Sequence, residues 1–303
     1  MIPVLCSFHY FRSTNMADLQ AEYGNRLDVF VDSGAFSALN AGASITVEDY
    51  CAWLRDNAES VNFAAALDVI GDPKATRANA DAMQSAVGDV CKVLPTFHVG
   101  SPWEDLESLC KDYDFVALGG AVAVSRRLKA MTQWLVQAMR ISKEHGVVNH
   151  GFGLTRDPFP GLLPFYSVDS SYWKYGKMGG VLQLWDVERA AHVKVQAGKR
   201  LSVDEARLVS RYGFDLARFQ TPGFGIVSKT QDGAQAQAEY RYMALAGALS
   251  VLLWQEHLRS VKTAVRAPQG VFGDGLKMYL ACSPNQDLPY IAEAYERVQG
   301  VAA

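Results

Sequence analysis

The residues of this chain with chemistry to offer stand at the ends of apolar runs. Val31-Asp32-Ser33-Gly34-Ala35-Phe36 sets a carboxylate ahead of a hydroxyl and a glycine. At such a strand end Asp32 stands at the mouth, with Ser33, Gly34 and Phe36 beside it, where the backbone can approach a ligand. The same Asp-Ser-Gly order also builds Asx turns, and that alternative stands beside the functional one. Ala66-Leu67-Asp68 ends a wholly apolar stretch on a carboxylate, which is costly unless it is paired or hydrogen-bonded. Asp68 suits a donor-rich ligand edge, or else caps the following Gly71-Asp72-Pro73 loop. Tyr166-Ser-Val-Asp169-Ser-Ser-Tyr-Trp173 places a third carboxylate before hydroxyls and aromatics, as a reactive group with a stacking wall or as a solvent-facing turn. One carboxylate that attacks an anomeric carbon, and another that moves protons, is the residue set of glycosyl transfer.

Leu118-Gly119-Gly120-Ala121 and His150-Gly151-Phe152-Gly153 expose backbone N–H groups to a planar base or a phosphate, or simply turn the chain. Neither matches a Walker A loop or GxGxxG, so a nucleotide cofactor is not expected. His98, followed by Gly100, and His150 stand at strand ends and are placed to line the same pocket. The six histidines form no HxH, HExxH or Cys/His cluster, and no metal is expected. Basic residues group at Arg126-Arg127-Lys129, Lys174-Lys177 and Lys194-Lys199-Arg200. Solvated faces explain such groups; Arg126, Arg127, Lys174 and Lys177, close to the Gly119-Gly120 and Asp169 strand ends, also suit a phosphate-contacting rim.

Strands are expected at Val4–Phe11, Leu27–Gly34, Phe63–Ile70, Val93–Gly100, Phe115–Gly120, Val147–Leu154 and Phe165–Ser170, several without the polar alternation of a half-exposed sheet. Helical spacing fills the gaps at Thr46–Asn57, with Thr46 as N-cap, and at Pro73–Val87, Pro102–Tyr113 and Arg127–Glu144. Strand and helix alternating every 20–35 residues or so make βα units on a parallel sheet. An open sheet gathers ligands at one switch point, whereas a barrel brings all its strand ends to one mouth. The scattered strand-end polar residues therefore predict an α/β fold, a (β/α)8 TIM barrel. The C-terminal part is irregular: a hairpin or an excursion over Val181–Trp185 and His192–Val195, helices over Ser202–Phe214 and Ala234–Leu258, a last barrel strand at Leu276–Cys282 and a closing helix at Leu288–Val298. With no repeat or long linker, residues 1–303 are expected to form a single domain.

A length of 303 residues, 49% hydrophobic and 20% charged, with a net charge of −3, excludes a disordered chain and a histone-like binder that grips phosphate everywhere. Five scattered cysteines without a CxxC pair, and an apolar start without a basic leader, point to free thiols in a cytoplasmic setting. The longest apolar run, Tyr242 to Trp254, falls short of the roughly 20 residues that span a bilayer, so no membrane partner is expected.

Taken in order, these strings resemble the tRNA-guanine transglycosylase superfamily, enzymes that exchange guanine for a 7-deazaguanine. Asp32-Ser-Gly-Ala-Phe36 is similar to the family's Asp-Ser-Gly-Gly-Phe, with Ala35 in place of the second glycine. Leu67-Asp68 resembles the strand end that binds the heterocycle, and Phe97-His-Val-Gly100 stands where the family has Val-Gln-Gly. Leu118-Gly-Gly-Ala121 resembles the Gly-Gly-Leu backbone at the base, His150-Gly-Phe-Gly153 the Met-Gly-Val-Gly pattern, and Ser167-Val-Asp169 the Phe-Asp end that bears the nucleophile. The motif-bearing part is about 27–175. The resemblance implies a double displacement in which Asp169 attacks C1′ of a guanosine nucleotide and Asp32 serves as general acid–base. Asp68 with Gly119, Gly120 and Ala121 would hold the base edge, and no cofactor is needed. The chain lacks the CxCxxC…His zinc site that braces the tRNA-binding subdomain in typical members. It is therefore most similar to the zinc-free branch of bacteria and their phages that modifies DNA, with DNA favoured over tRNA and a base such as preQ0 as acceptor. Two alternatives stay open: an N-glycosidase or nucleoside hydrolase on the same barrel, and a non-catalytic nucleic-acid-binding barrel.

Overall fold

A computed structural model describes residues 1–40, 42–120, 128–224, 233–284 and 286–302. Its strands are β1 (Ile2–Ser7), β2 (Leu27–Asp32), β3 (Phe63–Ala65), β4 (Val93–Leu94), β5 (Thr96–His98), β6 (Phe115–Gly119), β7 (Val148–Gly151), β8 (Ser167–Ser170), β9 (Val181–Asp186), β10 (Ala191–Gln196) and β11 (Lys277–Cys282). The chain divides into two compact units, Met1–Ser170 with Lys262–Pro284, and Ser171–Val261 with Asn285–Ala303.

The first unit carries a parallel sheet in the order β4-β3-β2-β1-β11-β8-β7-β6-β5. The two ends of that order, β4 and β5, are one stretch of chain interrupted at Pro95. Proline has no N–H to donate, yet its carbonyl still accepts from Ala117 N at 2.8 Å, while Leu94 O accepts from Ala66 N at 2.9 Å. One broken strand thus bonds to β3 on one side and to β6 on the other, and the sheet closes as a (β/α)8-type barrel. The barrel strands overlap the expected runs and most are shorter, while β1 begins two residues earlier, at Ile2. β1 ends at Ser7, because Phe8–Phe11 turns into a short helix, and β3 ends at Ala65, ahead of the loop that carries Asp68. Helices follow the strands at Val47–Asp56, Pro73–Val87, Trp103–Asp112 and Leu128–Glu144. Thr46 caps the first by accepting from Asp49 N at 3.1 Å, and Asp72 caps the second, with Pro73 just inside it.

Alternation along each strand sorts side chains into the barrel or toward the helices. Asp28, Phe30 and Asp32 of β2 share the inner face. The middle of the barrel is an aromatic plug: Phe30 stacks on Phe63 at 4.5 Å, and Phe63 meets Phe115 at 5.2 Å and Tyr279 at 5.4 Å, both edge-on. At the N-terminal end of the strands a fully enclosed polar cluster closes the floor. Lys277 Nζ lies 2.7 Å from Asp28 Oδ2, and Asp28 Oδ1 accepts from Asn62 Nδ2 at 2.8 Å and Tyr279 Oη at 2.9 Å.

The second unit contains the antiparallel hairpin β9–β10, which runs from Val181↔Gln196 to Asp186↔Ala191. Its helix Val203–Arg211 begins in a capping box made by Ser202 and Glu205. The long helix Gly233–Val261 passes so close to Trp173 that a Cβ on Gly247 would lie 2.1 Å from the Trp173 carbonyl oxygen. An Arg241–Glu293 ion pair at 3.0 Å ties it to the helix Leu288–Ala302. Among the described residues no helix is long and apolar enough to cross a membrane.

The floor cluster yields a stability prediction. Removing one member of a buried ion pair leaves the other charge without a partner, a loss of about 3–5 kcal/mol. Lys277→Met is therefore expected to lower unfolding stability by about that amount in denaturant titrations. The double variant Asp28→Asn/Lys277→Met should recover part of the loss, whereas additive losses would contradict the pairing.

Candidate active site at the barrel mouth

The predicted strand-end residues of the first unit converge at the C-terminal mouth. β2 delivers Asp32, whose Oδ2 accepts from Gly34 N at 3.2 Å, while Ser33 Oγ accepts from Ala35 N at 3.4 Å. Gly34 has φ +76°, and a Cβ there would fall 2.4 Å from Ser7 Oγ and 2.7 Å from His9 Cβ. Only glycine fits this left-handed turn against the end of β1.

Beyond β3, Asp68 Oδ2 sits 3.1 Å from His98 Nε2 at the end of β5, while Asp68 Oδ1 is buried without a hydrogen-bond partner. Gly119 makes room for that pair: a Cβ would come within 2.8 Å of Thr96 Cγ2 and 3.2 Å of the His98 ring. Gly120, at φ +78°, turns the chain beside Val99, and Gly100, at φ +94°, closes the turn after His98.

β7 and β8 supply the third acid. His150 is fully enclosed and bridges two residues on the inner face of β8, with Nδ1 2.8 Å from Ser167 Oγ and Nε2 3.2 Å from Asp169 Oδ1. An Nε2–H tautomer satisfies both contacts: it donates to the carboxylate and accepts from the serine hydroxyl. Gly153 N donates to the same oxygen at 3.1 Å. Asp169 is thus oriented through Oδ1, and its Oδ2 takes no hydrogen bond from the described residues. Gly151 packs tightly, since a Cβ would meet Leu154 and Phe165 within 2.9 Å.

The electrostatics bind the three acids into one site. Burial pushes the Asp32 carboxyl up from its ordinary value to about 7, and the charges of Asp169 and Asp68 push it the same way, against the backbone N–H groups of Gly34 and Ser33. Asp68 and Asp169 each have an imidazole; Asp32 has only those N–H groups. Its carboxyl, pushed up to about 7, can hold a proton near neutral pH.

Of the other expected residues, Ala121, Arg126 and Arg127 lie outside the described residues, as do the side chains of Phe36 and Lys177. Lys174 belongs to the second unit, where its Nζ lies 2.6 Å from the buried Asp287. Ser7 and His9 join the site without having been expected in it. The apolar run Val4–Phe11 hid the end of β1, and ending that strand at the first polar residue, Ser7, would have exposed both.

The raised acid makes a signed prediction. Between the unfolded value near 4 and the folded value near 7, the native state holds the Asp32 proton that the unfolded chain has released. Stability therefore falls as pH rises through that window and levels off above it. Asp32→Asn is expected to raise the melting temperature at pH 8, by an amount worth a few kcal/mol, and to leave it unchanged at pH 4. A gain equal at both pH values would refute the assignment.

Compared with models of known families and with curated proteins, the chain matches none.

Proposed function

We propose that this protein is a transglycosylase that exchanges guanine for a 7-deazaguanine base in nucleic acid, with DNA preferred over tRNA. The observation that carries the reading is that three acids stand at separate strand ends of one barrel, Asp68 against His98 and Asp169 against His150, with Asp32 beside Gly34. Division of labour follows from their surroundings. Asp169, held at Oδ1 by His150 and Gly153, has Oδ2 to attack C1′; the C1′–N9 bond breaks and a glycosyl ester to the aspartate forms. Asp32 gives its proton to the departing guanine and takes one from the incoming base, which then attacks C1′ and frees Asp169. Asp68, braced by His98 and presenting the unpaired Oδ1, accepts from donors on the base edge, beside the backbone of Gly119 and Gly120. One glycosidic bond replaces another, so the exchange needs neither ATP nor a redox partner. A target base in a duplex must be unpaired or flipped out before it reaches these groups. The preference for DNA rests on the missing CxCxxC…His string, and cytoplasmic action in a bacterium or a phage-infected host goes with it.

Purified protein incubated with radiolabelled guanine or preQ0 and either DNA or tRNA is expected to place label in DNA. Asp169→Ala should abolish incorporation, and Asp32→Asn should lower it by roughly 10²–10⁴-fold. Incorporation into tRNA alone would reverse the substrate preference. Release of free guanine without incorporation would select hydrolysis, and no turnover with either polymer would reject the proposal.

A further inference from the structure

Four buried polar atoms at the mouth have no hydrogen-bond partner: Asp68 Oδ1, Thr96 Oγ1, Ser7 Oγ and His9 Nδ1. Asp68 belongs with the base-edge residues described above, and Thr96 stands beside it against Gly119. The other two sit on β1 and its extension, where neither the sequence motifs nor the exchange chemistry gives them a role. A buried hydroxyl or imidazole nitrogen left unpaired costs about 1–3 kcal/mol, so a pair of them at an open site is accounted for by a ligand that bonds both.

Their position identifies the part of the ligand. Ser7 is the register partner of Asp32 across the β1–β2 ladder, is only 7% exposed, and follows Leu5 on the inner face. His9 packs beside it against Gly34, with Tyr10 edge-on at 4.9 Å. Around the barrel the order β8-β11-β1-β2 sets β1 between the strand of Asp169 and the strand of Asp32. Asp169 attacks the anomeric carbon and Asp32 serves the base, so the group spanning those two points is the sugar. A phosphate is disfavoured here by the neighbouring carboxylates. The base edge lies toward Asp68 and Thr96, two and three strands away.

We propose that Ser7 and His9 form a pentose subsite, with Ser7 Oγ and His9 Nδ1 hydrogen-bonding the sugar oxygens of a purine nucleotide between Asp169 and Asp32. A hydroxyl and an imidazole nitrogen can each donate or accept, which matches the mixed character of sugar oxygens. The subsite rests on the transglycosylase reading, because that reading places the sugar between the two acids.

Calorimetry with guanine and with 2′-deoxyguanosine as probes tests it. Ser7→Ala and His9→Phe are each expected to weaken deoxyguanosine binding about tenfold, the worth of one hydrogen bond, and to leave guanine binding unchanged. Without ligand, Ser7→Ala should not lower the melting temperature, since the hydroxyl it removes has no partner to lose. Equal weakening of both probes, no weakening of either, or a lower melting temperature for Ser7→Ala would overturn the subsite. A parent that binds deoxyguanosine in this sugar-dependent way yet exchanges no base would overturn the transglycosylase reading and keep the subsite. A parent that exchanges base with both variants unaffected would do the reverse, and a parent that binds neither probe would overturn both.

Discussion

Three carboxyl groups at one end of a closed barrel repel one another, and the site is arranged around that repulsion. Two are relieved by imidazoles: His98 sits against Asp68 and His150 against Asp169. The third, Asp32, meets only backbone N–H groups and keeps its proton. Burial, with the nearby charges of Asp169 and Asp68, makes ionisation of Asp32 costly. In the proposed exchange, those different surroundings would separate a nucleophile, a binding group and a proton carrier without any difference in residue type.

The barrel supplies what the repulsion requires. Its aromatic plug, built on Phe30, Phe63, Phe115 and Tyr279, gives the acids a dry floor. His150 is held edge-on by Phe30 at 4.7 Å and by Phe152 at 4.8 Å, so its ring cannot turn away from Asp169. Below the plug, Asp28 and Lys277 neutralise each other at 2.7 Å. The two polar ends are kept apart by rings rather than by distance along the chain: Asp28 and Asp32 stand on the same face of one strand, with only Phe30 between them on that face. One is a structural ion and the other a titrating acid because a lysine reaches the first and none of the described residues offers a cation to the second.

Much of this was legible in the sequence, for a topological reason. In a (β/α)8 barrel every strand delivers its C-terminal end to the same mouth, so a polar residue that closes an apolar run can be assigned to the site without knowledge of any contact. Asp32, Asp68, His98, Gly119, His150 and Asp169 were found that way. What escaped depended on pairing between distant segments. Asp28 and Lys277 open strands far apart in the chain, and nothing local marks them as partners. Pro95 read as an ordinary residue of one strand; its place as the seam where the sheet closes appears only when both neighbours are known. Ser7 and His9 were lost because Phe8 and Phe11 prolong the apolar pattern past the true end of β1.

That last miss has a physical cause that bears on how the site works. Ser7 and His9 follow an apolar strand beside Gly34, and Ser7 Oγ and His9 Nδ1 find no hydrogen-bond partner among the described residues. A fold that only needed a closed barrel would place apolar residues at such positions, since an unpaired buried hydroxyl weakens the free protein. Asp32 shows the same pattern: with its pKa pushed up to about 7, the ligand-free fold loses stability as pH rises toward that value. Both penalties fall on one corner of the mouth, where β1 and β2 end side by side. Local instability of this kind persists where a ligand relieves it, and stability surrendered in the free state becomes affinity or reactivity in the bound one. On the proposed reading, the corner of Ser7, His9, Asp32 and Gly34 is where ligand binding would relieve both penalties, and the surrounding barrel, with its plug and floor ion pair, holds that corner in place.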